Sequence, residues 1–197
     1  MLSNLWPHTE YAEDQPFPKL ILTTHVLHRG FQTGAALGST TGLIRAALLA
    51  YKPTAPSKLY TKFIVPQGST PATLLMRSTG MGAAIGLGSM AIILPLYMGK
   101  RKPVEWQDRS WRLLEHRGQL EVDDWSVVGA VLGLTGTVVI ARRNSGLFLV
   151  KDHHTLSTGL LVRALGWRNV VAGAGMGSLS GVLGYMGWRY GVMGGER

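Results

Sequence analysis

Few residues in this chain have the type and spacing that chemistry requires. Arg45 sits in an otherwise uncharged stretch, one helical turn after Gly42. An arginine at the centre of a bilayer costs about 2.5–3.5 kcal/mol or more, and no acid in that stretch can pair with it. Arg45 either extends its guanidinium towards the basic side of the membrane or meets a phosphate or carboxylate from outside the chain. Arg142 and Arg143 follow an apolar run directly, with Lys151 nearby. Basic residues in that position signal topology and bind anionic head groups such as cardiolipin. His25 with His28, and His153 with His154, lack the further ligands a metal needs. Gly86-Leu-Gly88-Ser-Met-Ala91 loosely fits a dinucleotide fingerprint, but it has no acid some 20 residues later and lies in a 22-residue uncharged run. No Gly-Lys-Ser/Thr phosphate loop, Ser-His-Asp arrangement or paired carboxylate occurs in an apolar run, and there is no cysteine for disulfides or thiolate sites. The expectation is therefore no catalytic, cofactor-binding or metal-binding residue, and no nucleic-acid partner.

The elements that carry these residues are legible from where charge is missing. Ser78 to Gly99 is 22 residues without Asp, Glu, Lys or Arg, Asn169 to Trp188 is 20, Trp125 to Ala141 is 17, and Gly30 to Ile44 is 15. A helix needs about 20 mostly apolar residues to cross roughly 30 Å of hydrocarbon. Two runs meet that length directly. The others meet it if Arg45, Asp123 and Asp124 sit near the interfaces. A soluble helical or α/β enzyme is the alternative, but these runs have no polar face of the kind a surface helix needs. The expected fold is all-α: a membrane domain over 23–190, with four spans at about 24–51, 74–98, 125–141 and 169–188. A polar tail, 1–22, precedes it and a short one, 191–197, follows. The first tail has few apolar residues and is expected to order only against a partner. It also lacks the Arg-rich, acid-poor pattern of a transit peptide and the apolar core of a secretory signal. Residues 104–119 mix Trp106, Trp111, Leu113 and Leu114 with Arg109, Arg112 and Arg117. That suits either a helix on the membrane surface or a linker packed on a partner. Four spans put both termini on one side. The first and third loops carry one acid, Asp152, among many bases and read as the inner face.

Glycine is the informative residue. Gly30, Gly34, Gly38 and Gly42 recur every four residues, as do Gly173, Gly177 and Gly181, while Gly129 and Gly133 form one more pair. Such spacing stacks them on one helix stripe. In water each would cost about 1 kcal/mol of helix propensity relative to Ala. In lipid the backbone must stay hydrogen-bonded, so the helix persists, and the missing side chains let backbones approach closely.

A dispersed pattern adds a resemblance. A small residue, an aromatic, an Arg, an acid, two small residues and a Gly, at fixed spacings, fall here on Pro103, Trp106, Arg117, Glu121, Val128, Gly129 and Gly133. Arg117, Gly129 and Gly133 match, Trp106 and Glu121 are conservative replacements, and Pro103 and Val128 depart. With four Gly-rich spans, the chain resembles the mitochondrial import-translocase family, also called the preprotein and amino-acid transporter family. Arg117 and Glu121, four apart, are expected to pair on one helical turn. Within that family, the size, the charged second loop and the acidic tail are similar to the accessory subunit of respiratory complex I in its fungal form. The resemblance implies the mitochondrial inner membrane, both termini in the intermembrane space, and membrane-arm subunits of complex I as partners. It also implies a structural role without an active site. An import-translocase or solute-channel component is the other role the same signature carries.

Overall fold

In the computed structural model, which describes residues 6–51, 64–144 and 166–195, the uncharged runs are helices. Five α-helices occur among the described residues: α1 (Pro18–Tyr51), α2 (Pro71–Met98), α3 (Pro103–Glu115), α4 (Arg117–Asn144) and α5 (Trp167–Met186). A π-helical turn over Gly187–Val192 continues α5. Proline opens α1, α2 and α3, where its fixed φ suits the first turn and its missing N–H is no loss. Thr70 caps α2 reciprocally: the Thr73 N–H donates to Thr70 Oγ1 at 3.2 Å, and the Thr70 N–H donates to Thr73 Oγ1 at 2.9 Å. Only His116 separates α3 from α4.

Helices α1 and α2 form one antiparallel pair, and α4 and α5 another. Helix α5 also packs on both α1 and α2 and so joins the two pairs. Helix α3 lies against α1 at one end of the bundle. The interior is lined by small residues: Ala35, Ala83 and Ala172 are fully buried, while Leu37, Ile85, Ile92, Leu96, Leu132 and Leu183 face outward. Three helical segments are long and apolar enough to cross a membrane: Pro71–Met98, Arg117–Ala141 and Trp167–Val192. Helix α1 is the longest at 34 residues but is not among them. Gln32, Thr33, Ser39, Thr40, Thr41 and Arg45 dilute its apolar character.

Two features differ from the sequence expectation. Helix α4 begins at Arg117, eight residues before Trp125, so Glu121, Asp123 and Asp124 belong to the same helix as the apolar run. The N-terminal tail, expected to order only on a partner, folds over residues 6–17 onto α3 of its own chain. Trp111 Nε1 donates to the Thr9 carbonyl at 2.9 Å, His8 stacks on Trp111, and buried Gln15 donates from Nε2 to the Pro7 carbonyl at 2.7 Å. Phe17, in the left-handed region at φ 52°, turns the chain into α1. Trp6 then joins Ile21, Leu113, Leu114 and Leu120 in an apolar cluster. Polar bonds to backbone carbonyls, supplemented by one tryptophan, do the work that apolar bulk would otherwise do.

Candidate functional site

The glycine stripes lie at the helix contacts. A β-carbon added at Gly34 would come closer than 3.0 Å to the Gly82 backbone, and one at Gly82 closer than 3.0 Å to that of Gly34 and Gly38. Gly30 stands in the same relation to the Gly86 backbone and also meets the Met90 side chain, Gly38 to Ser78 and Thr79, and Gly42 to Leu75. The second seam joins Gly129 and Gly133 of α4 to Gly173 and Gly177 of α5, and brings Gly181 against Trp125 and Ser126. Gly175 faces Ala35 and Ala83, where α5 meets α1 and α2. Gly80 abuts the Arg168 backbone, while Gly88 and Gly136 have open space around them. Backbone-to-backbone contact of this kind is how helices gain packing energy where lipid removes the hydrophobic drive between them.

A polar cluster ties α1 to α4 and α5 towards the α3 end. Asp123 Oδ2 is 2.7 Å from His25 Nδ1, and its Oδ1 forms an ion pair with Arg29 Nη2 at 3.0 Å. Arg29 Nη1 donates to Gln32 Oε1 at 3.1 Å, and Gln32 Nε2 donates to Ser178 Oγ at 3.3 Å. His28 Nε2 lies 2.7 Å from Ser126 Oγ and 3.1 Å from Gln32 Nε2. Gln32 is 6% exposed and Ser126 and Ser178 are fully buried, so each side chain needs the partner it has. Further along α1, Ser39 lies 2.9 Å from Thr79 of α2. A cavity of about 350 Å³, lined by Trp6, Ile21, Leu113 and Asp123 among others, opens beside the cluster.

The sequence-derived residues distribute as follows. Trp106 is buried on α3. Glu121 does not take the partner expected of it: it accepts from Tyr185 at 2.8 Å and pairs with Arg189 at 3.3 Å. Arg117 is at the first position of α4, and a partner on α5 reaches the carboxylate instead. Arg45 donates from Nε to the Ile64 carbonyl at 2.7 Å and from Nη1 to Ser78 Oγ at 2.9 Å. Its guanidinium thus serves the chain itself. Arg142 and exposed Arg143 are in the last turn of α4, and Lys151, His153 and His154 lie outside the described residues. His25 and His28 are engaged with Asp123, Ser126 and Gln32. Among the described residues no group of three His, Cys, Asp or Glu could hold a metal ion.

Charge counting along the chain missed the cluster because it scores each run alone. The available signal was the spacing of His25, His28, Arg29 and Gln32, which puts four polar side chains on one face of α1.

Fold and site together define an all-helical protein with three apolar helices of membrane-spanning length, joined along glycine seams. A family model matches residues 7–150, from the N-terminal tail through α4. The chain belongs to that family, whose description is protein of unknown function (DUF1757). No curated protein and no solved structure matches the chain.

Proposed function

We propose that the protein is a non-catalytic structural subunit of mitochondrial NADH:ubiquinone oxidoreductase. In this reading it stabilises the membrane arm in the inner membrane, with both termini in the intermembrane space. The observation that carries it is how little apolar surface the bundle buries within itself. In the most apolar stretches of the three candidate spans, only 17%, 11% and 28% of residues are buried. Small residues close the interior, and the large apolar side chains are left for lipid and for neighbouring helices.

Helix α1 is the fourth span in this reading. At about 1.5 Å per residue its 34 residues extend roughly 51 Å. Contacts at Gly30, Gly34, Gly38 and Gly42 hold its central part against α2, so where α2 crosses, α1 crosses beside it. Its polar residues are compatible with lipid because Gln32 and Ser39 turn inward to partners. The polar cluster acts as a clasp between helix pairs. Beyond Ser178 the interior continues as Ala35, Gly175, Thr79 and Ala83, which carry no ionisable side chain.

A second reading is a component of an inner-membrane import translocase or solute channel. It is favoured by an open groove of about 980 Å³ along α1 and α2. Native gel electrophoresis of mitochondria carrying the tagged chain separates the two. Co-migration with NADH dehydrogenase activity is expected. Finding the chain only in import complexes would sink the first reading.

A further inference from the structure

The groove along α1 and α2 has a charge asymmetry that selects an occupant. Between its ends the walls are apolar or weakly polar, including Leu37 of α1 and Met81 and Ile85 of α2, all exposed, while His25 and Arg29 at the far end are paired with Asp123. Its floor is the Gly34, Gly38 and Gly82 backbone. At one end, where α1 finishes and α2 and α5 begin, it is lined by Arg45, Arg77 and Arg168. Arg77 and Arg168 are exposed, and no acid of the described chain forms an ion pair with either. The described acids all lie in the tail, α3 or the first turns of α4, at the far end of the bundle. From Gly30 to Arg45 the groove follows α1 for roughly 22 Å, enough to accommodate the chains of one leaflet, whose hydrocarbon is about 15 Å deep.

We propose that this groove binds one anionic phospholipid, its phosphate at Arg77 and Arg168 and its acyl chains between Leu37 and Ile85. A zwitterionic lipid would fill the walls equally well but would leave the excess positive charge at the mouth unbalanced. Cationic side chains at a membrane surface attract anionic head groups additively, so two of them set a preference of about thirtyfold. The inference needs only that these helices span a membrane, and it is independent of which assembly the chain joins.

The test uses the full chain purified in a neutral detergent, with native mass spectrometry as readout. Dioleoyl phosphatidylglycerol is compared with dioleoyl phosphatidylcholine, whose chains are identical. Preferential retention of the glycerol lipid is expected, with about a thirtyfold loss in the R77Q/R168Q variant. K100Q/R109Q, which removes two charges at the opposite end, should retain it. Equal retention of the two lipids, or unchanged retention in R77Q/R168Q, overturns the proposal. In native membranes, a photoreactive residue at position 37 should yield a lipid adduct. A polypeptide adduct, or none, overturns it and in the first case identifies the groove as a partner-helix seat.

Discussion

Replacing Gly34 with alanine adds one methyl group where the seam has no room. That β-carbon would sit closer than 3.0 Å to the Gly82 carbonyl and about 3.0 Å from Gly86 Cα. Both neighbours are backbone, so no side chain can rotate aside. Ordinary contact lies at 3.4–4 Å, so α1 and α2 must move apart by about 1 Å, a gap that forfeits a quarter to a half of the dispersion well of each pair it opens. The stripe is continuous from Gly30 to Gly42, and the loss spreads along it. Overpacking of this kind costs about 1–3 kcal/mol, or a fall in Tm of roughly 2–12 °C for a chain this size. Gly88→Ala is the control: it lies on the same α2 helix with open space around it. Thermal unfolding in detergent, followed by circular dichroism, should rank Gly34→Ala clearly below Gly88→Ala. Equal midpoints would show that the seam tolerates a methyl group, and the close-packing argument would fail. The larger change G34L/G38L should block assembly altogether, read on a native gel.

Four further outcomes follow from the clasp, the cap and the basic end. Asp123→Asn leaves Arg29 and His25 facing a neutral amide. Because Arg29 is about one-third exposed, the coupling expected from an Asp123→Asn/Arg29→Gln cycle is only about 1 kcal/mol, and strict additivity of the two single losses would refute the pairing. Gln32→Met removes the link from α1 to Ser178 and should cost about 0.6–1.7 kcal/mol, as interhelical hydrogen bonds in membranes do; an unchanged unfolding midpoint would contradict it. Thr70→Ala should destabilise α2 by about 1 kcal/mol through loss of its reciprocal cap, visible as faster amide exchange over residues 72–74. Arg142→Ala/Arg143→Ala should lower lipid retention in native mass spectra, and unchanged retention would remove those residues from the basic face.

The seams were legible because a period of four along one helix is a statement about one face, and it needs no knowledge of the partner. Gly30 to Gly42 could be placed on a stripe from spacing alone. The apolar spans were legible for a similar reason, since lipid acts on every residue of a run. What spacing does not carry is which helix meets which. Arg117 stands four residues before Glu121, yet Tyr185 and Arg189, more than sixty residues away, take the carboxylate. Arg45 finds Ile64 and Ser78 by the return of the chain through α2. The run of charge that ends at Trp125 does not say which side chains Asp123 meets; helical continuity from Arg117 turns it towards His25 and Arg29. The folded tail was hidden because its bonds are to backbone carbonyls, which every sequence offers equally.

The structural role is tested by deleting the gene and separating the respiratory complexes on native gels, with an NADH-to-artificial-acceptor assay on the hydrophilic arm. The account predicts a membrane arm that fragments or loses a neighbouring part, while electron transfer to the acceptor continues in what remains. A complex that assembles fully, survives detergent and yet fails to pump protons would contradict it and point to direct transport by this chain.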